Sequence, residues 1–149
     1  MPDTNTSKMT AFMVAAKALV ETVSGVGAVI IMGQRDAVEV FARAKSKASG
    51  QVVTIQPVGG NNPATDVAGP RMDNSFQIHI YDHPGLRKKL SPHGFELCEQ
   101  IMRTVHKANT QALKSACQDC LVLSWNIEQE GGADIYVIPL QVNFHFSPL

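Results

Sequence analysis

Cys117 and Cys120 bracket two residues in "CQDC", the spacing at which paired sulfurs hold a zinc ion or act as a thioredoxin-like redox couple. A zinc site of this kind needs a second pair of ligands. Cys98, His93 and His106 could supply it only through folding, and the two histidines do not share a face of their helix. Free thiols that pack as small hydrophobes are the plainer reading. His79, His83 and His145 lie in or beside strand-like runs, and Asp82 next to His83 is placed to orient an imidazole. Yet no Ser or Cys stands in a strand-to-helix elbow such as G-x-S-x-G, so nucleophilic hydrolysis has no evident centre. "GVG" at residues 25–27 lacks the rest of a dinucleotide fingerprint, and "VGGNNPATDVAGP" lacks the lysine of a phosphate-binding loop; both read as turns. The one dense cationic run is Arg87, Lys88 and Lys89 in "LRKKL". It is either a solvated loop tip or a contact for an acidic partner or for DNA.

Elements that would position these groups follow from periodicity. Phe12, Met13, Ala16, Leu19, Val20 and Val23 recur at helical spacing up to Ser24 and Gly25, and "GAVIIMG" reads as a short buried strand. Ala37, Val40, Phe41 and Ala44 predict a second helix ending at Gly50, followed by the strand "QVVTIQPV". Residues 59–74, "GGNNPATDVAGPRMDN", have no periodicity and read as a long loop, of the kind that is usually functional. So polar a segment is expected to order against a neighbour, which makes Asn61, Asn62, Asp66 and Arg71 candidate interface residues.

Beyond that loop, "SFQIHIYD" alternates as a strand, and Ser91 with Pro92 reads as the start of a helix burying Phe95, Cys98, Ile101, Met102 and Val105. Two alternating runs, "CLVLSWNIEQE" and residues 133–146, joined by Gly131 and Gly132, predict a C-terminal β-hairpin. Pro139 suggests that the last strand is bulged or lies at a sheet edge. An uncovered edge is a template for another chain, so Phe144 and Phe146 are either interface residues or core. The expected fold is α/β of the α+β type: one domain over residues 9–149, with a mixed, mainly antiparallel sheet and two to three helices, after a disordered or clamping tail at residues 1–8.

With 149 residues, 44% of them apolar, the chain can bury a core without staples. Thirteen basic and thirteen acidic residues cancel, which disfavours general nucleic-acid binding. Three cysteines and no evident export or membrane segment suit a reducing, cytosol-like compartment.

The order of elements, with "NSFQIHIYDH" before a single amphipathic helix and "GGADIYVIPLQVNFHFS" as closing strand, resembles the tail terminator (tail completion) proteins of long-tailed bacteriophages over residues 10–147. The resemblance implies a structural virion protein, not an enzyme, with no cofactor or metal. It implies a ring, hexameric in that family, that caps the head-proximal end of the tail tube and offers the surface for head joining. Partners would be further copies of itself, the tail tube protein, a head-completion or neck connector protein and, in a contractile tail, the sheath. Six copies of Arg87, Lys88 and Lys89 could also meet packaged DNA non-specifically. Such a protein is made in the host cytoplasm and resides in the virion, without a membrane partner. The helix at residues 34–49 is an addition that this family does not require. The competing reading is a small cytosolic enzyme or metal-binding module using His79, His83 or the pair Cys117 and Cys120.

Overall fold

The two longest alternating runs in the chain meet at the centre of the fold. They belong to a computed structural model that describes residues 8–31, 51–60, 64–66, 69–82, 94–106, 113, 117, 119–130 and 132–145. Strand β4 (Gly69–Asp82) pairs antiparallel with β7 (Ala133–His145), in register from Arg71 opposite His145 to Asp82 opposite Asp134. On the outer side of β4 lie β2 (Gln51–Gly60) and the short β3 (Ala64–Asp66), both antiparallel to it. β1 (Ala28–Ile31) runs parallel to β2, as a strand reached through a crossover does. On the other side of β7 lie β5 (Asp119–Val122) and β6 (Asn126–Glu130). Seven strands thus form one mixed, mainly antiparallel sheet among the described residues.

Helices α1 (Lys8–Val20) and α2 (Gly94–Val105) cover one face of this sheet. Alternation places Val53, Ile55, Phe76, Ile78, Ile80, Ile138, Leu140 and Val142 on that face, where Phe12, Ala16, Leu97 and Ile101 pack against them. At one end Phe12, Phe76 and Phe144 form an aromatic cluster with ring centroids 4.8, 6.3 and 6.4 Å apart. Ile30, Val52, Tyr81, Ile135 and Val137 form a smaller cluster on the opposite face. The architecture is the expected α+β fold with its C-terminal hairpin. Glu130 pairs with Ala133, leaving two residues for the turn, and Gly132 takes φ +80°, a left-handed conformation that glycine adopts without strain.

Four expectations are corrected. Residues 59–74 are not one loop: Gly59 and Gly60 still pair with Ser75 and Asn74, residues 64–66 form β3, and β4 already begins at Gly69. Pairing with β7, which reaches His145, supplies the backbone partners that the segment's own composition does not suggest. The last strand is not an edge, for β7 is hydrogen-bonded on both sides. Phe95 is half exposed, and Leu97 takes the buried place on α2. Helix α1 starts at Lys8, inside the expected tail. The helix expected over residues 34–49, and the cap formed by Ser91 and Pro92, lie outside the described residues.

Pro139 is tolerated in an interior strand for a local reason. Its carbonyl accepts the Leu123 N–H at 3.1 Å, and a strand residue's N and C=O point to the same side. The proline nitrogen therefore faces the gap between β5 and β6, where it has no ladder bond to make. Register slips there: from Val122, opposite Leu140, to Asn126, opposite Val137, four steps on one side match three on β7. The extra residue is a β-bulge.

Candidate functional site

Those of the groups nominated for chemistry that are described, Cys98, Cys117, Cys120, His79 and His106, are drawn into the fold. Cys98, Cys117 and Cys120 are buried and free. The Cys117 thiol donates to the Leu113 carbonyl at 3.3 Å. Burial pushes the thiols of Cys98 and Cys117 up to about 11 and that of Cys120 to about 12, with the Asp119 carboxylate adding to the last two. Thiols held protonated in this way are poor nucleophiles and poor metal ligands. His106 is also committed, its Nδ1 accepting the Val122 N–H at 3.0 Å beside β5.

His79 lies on the sheet face opposite the helices, in a row with Gln77 and Tyr81 along β4 and with Gln56 on β2. Its Nε2 is 2.8 Å from Gln77 Oε1, and its Nδ1 is 3.4 Å from the Tyr81 hydroxyl. A neutral ring donating from Nε2 and accepting at Nδ1 satisfies both. Burial lowers its pKa below the usual imidazole value, and the Glu128 carboxylate partly counters this. Asp82, nominated to orient His83, has that partner outside the described residues. Its Oδ2 accepts the Gly94 N–H at 3.0 Å, which holds the first turn of α2 against β4.

Of the nominated interface residues, Phe144 is core, 2% exposed and packed edge-on against Phe12 and Phe76. Asp66 and Arg71 belong to paired strands, Asp66 opposite Gly69 and Arg71 opposite both Ala64 and His145. Asn61, Asn62, His83, Arg87, Lys88, Lys89, His93 and Phe146 lie outside the described residues.

The surface that stands out is one that no motif marked. Residues 123–129 are exposed without interruption along the margin of the sheet. Leu123 is 57% exposed, and Trp125 and Ile127 are each 49% exposed. β6 pairs with β7 and, among the described residues, with no other strand. Across the β4–β7 ribbon a second bulge breaks β2, where Pro57 faces Phe76 and Gly59 already faces Ser75. It leaves Val58 55% exposed. Between the two bulges lies an open cleft of about 310 Å³, lined by Val58, Gly60, Asp73, Ser75, Leu123 and Gln141. The sequence did carry a signal for this edge. Pro139 lies in the strand opposite, and a proline inside a strand implies that the partner on its N side is missing or bulged.

No helix among the described residues is long and apolar enough to cross a membrane. Comparison of the chain with models of protein families and with curated proteins gives no match. The reading of function therefore rests on the edge and on the resemblance in element order.

Proposed function

We propose that the chain is a non-enzymatic structural subunit of a phage tail, a tail terminator. Its copies close into a ring, hexameric in the family it resembles. The ring caps the head-proximal end of the tail tube, stops its polymerisation and offers a surface to the head-completion or neck protein. In this reading the protein is made in the host cytoplasm and resides in the virion.

The observation that carries the proposal is the exposed edge at residues 123–129, with Leu123, Trp125 and Ile127 each about half uncovered. A free strand margin bearing large apolar side chains is a liability in a monomer and an asset in an assembly. The competing enzyme or metal module draws no support from those of its nominated groups that are described. Cys117 and Cys120 are buried and protonated, and His79 is tied to Gln77 and Tyr81.

The test is assembly. Native mass spectrometry and negative-stain microscopy of the purified full chain, alone and with preformed tail tubes, should find rings, or caps confined to one tube end, and tube growth from that end should stop. A protein that stays monomeric at every concentration and leaves tubes uncapped would refute the proposal.

A further inference from the structure

The exposed margin of the sheet has two chemically different faces, because cross-strand neighbours share a face. Ile127 stands opposite Tyr136, which belongs to the core beneath the helices, so Ile127 lies on the helix side, with Trp125 two positions before it. Asn126 and Glu128 stand opposite Val137 and Ile135, which belong to the cluster on the other face. Glu128 is exposed there, and its carboxylate raises the pKa of His79 on the same face. Glu130 follows two positions on, and residues 115–149 contain no Lys or Arg that could neutralise the two from β5, β6 or β7. The margin is apolar on the helix side and acidic on the other.

Its backbone points outward at alternate residues. Pro139 turns its carbonyl toward Leu123, and successive residues of a strand direct their N–H and C=O to opposite sides. Val137 and Ile135 therefore bond toward β6, whereas Tyr136 and Asp134 bond toward β4. On β6 the same alternation makes Asn126 and Glu128 bond to β7 and directs the N–H and C=O of Ile127 and Gln129 outward. Among the described residues no strand lies on that side.

An occupant of this edge must meet three demands. It must be extended, to bond Ile127 and Gln129; it must bring apolar side chains to Ile127 and Trp125; and it must bring cations to Glu128 and Glu130. A strand of period two meets all three. A second β6 meets only the first two, for a pair of them gathers four carboxylates on one face and supplies no cation. We infer that the β6 margin binds an extended segment of a partner protein in which apolar and basic residues alternate, with the basic ones on the Glu128 face. The inference rests on the reading of this margin as an assembly surface, not on ring closure, and names the chemistry that covers it.

Synthetic peptides test it on the full chain, at concentrations below those at which copies associate. The probe is a capped peptide alternating Val and Lys. Its controls are the same residues in two blocks, an alternating Val and Glu peptide, and the Val and Lys probe N-methylated at every Val or at every Lys. Binding is read from the emission of Trp125, the single tryptophan, and from amide exchange at Ile127 and Gln129 by NMR. The probe should shift the emission to the blue and slow both amides, and salt should weaken it. The block and Glu peptides should bind on the order of tenfold or more weakly. Glu128→Gln with Glu130→Gln should weaken the probe to a similar degree without changing the unfolding curve. Methylation at Val should abolish binding if the added strand runs antiparallel, and methylation at Lys if it runs parallel. Equal binding by the block peptide, or by both methylated probes, would leave charge attraction alone and overturn the inference. So would Ile127 and Gln129 amides that slow with protein concentration while no peptide binds, the signature of β6 pairing with itself. Failure of every peptide would leave Glu128 and Glu130 as charges that blunt an edge, and rings formed by such a chain would keep the ring reading in place. Binding of the probe by a chain that never forms rings would support the inference and remove the ring reading alone.

Discussion

Replacing Gly94 by Ala adds one methyl group at the point where helix α2 leaves the sheet. A Cβ there would lie 2.3 Å from Cε2 and 2.8 Å from Cδ2 of Tyr136, and 3.0 Å from Asp82 Oδ2. Ordinary carbon contacts are about 3.5–4.0 Å, so something must move. Tyr136 is only 6% exposed, with Ile80 opposite it on β4 and Ile127 on β6. Asp82 is 1% exposed and is spent on the Gly94 N–H. Overpacking of this kind costs about 1–3 kcal/mol, and displacing the buried carboxylate from its donor costs about 1–3 kcal/mol more. Alanine regains at most about 1 kcal/mol through helix propensity. The steric terms win, and Gly94→Ala should destabilise by about 2–4 kcal/mol, lowering Tm by on the order of 10 °C.

Urea unfolding followed by circular dichroism measures this directly, with Gly59→Ala as control. A Cβ at Gly59 meets nothing within 4 Å, so that variant should stay within about 0.5 kcal/mol of wild type. Tyr136→Leu removes the ring edge that the methyl would strike, and in that background Gly94→Ala should lose at least half of its effect. A Gly94→Ala protein as stable as wild type, or an unchanged penalty in the Tyr136→Leu background, would refute the steric account.

Phe144→Ala should cost about 3–5 kcal/mol in the same unfolding assay, since the ring is buried between Phe12 and Phe76; a loss confined to assembly would return Phe144 to an interface. The raised thiols of Cys98, Cys117 and Cys120 bind protons in the folded state that the unfolded chain releases near pH 9. Their contribution to stability is therefore complete below about pH 9 and is lost as pH rises toward about 11–12, a decline that the triple Cys→Ala variant should flatten. His79 behaves in the opposite sense. Its lowered pKa gives stability that is present above about pH 6.5 and lost as pH falls through the folded value. Histidine ring resonances in NMR should place that midpoint below 6.5, and Glu128→Gln should lower it further.

Periodicity made the sheet face of the core legible. Phe76, Ile78 and Ile80, and Ile138, Leu140 and Val142, alternate cleanly because each strand has one face under the helices. Composition misled at residues 59–74, since glycine, asparagine and proline speak for local preference and the pairing of Gly60 with Asn74 or of Arg71 with His145 is long-range. Leu97 was hidden by Phe95, a larger side chain that draws attention but lies off the packed face of α2. The Asp82 cap on Gly94 was out of reach because twelve positions separate its partners. Chemistry-bearing types were the poorest guide of all. The sulfurs and the imidazole that sequence spacing nominated are consumed by burial and by local hydrogen bonds.

The candidate edge has a simple physical origin in two prolines. Pro57 sits beyond the last pairing of β2 with β1, at Ile55 opposite Ile31, and is followed at once by the bulge at Val58. Pro139, opposite Gln77 on the neighbouring strand, turns its nitrogen toward the break between β5 and β6. Both interruptions fall at one level of the β4–β7 ribbon, where Pro57, Phe76, Leu140 and Val122 stand side by side. Bulges re-aim side chains and end regular pairing. Here they leave Val58 and Leu123 at the cleft and send the chain on through Trp125 into β6. On β5 the helix-covered face takes Cys120 and Val122, opposite Val142 and Leu140, so a continuous β5–β6 strand would have carried Leu121, Leu123, Trp125 and Ile127 together on the other face. The one-residue slip instead separates Leu123 from the phase of Trp125 and Ile127. The same prolines that spare the sheet an unusable donor thus create the surface on which assembly is proposed to depend.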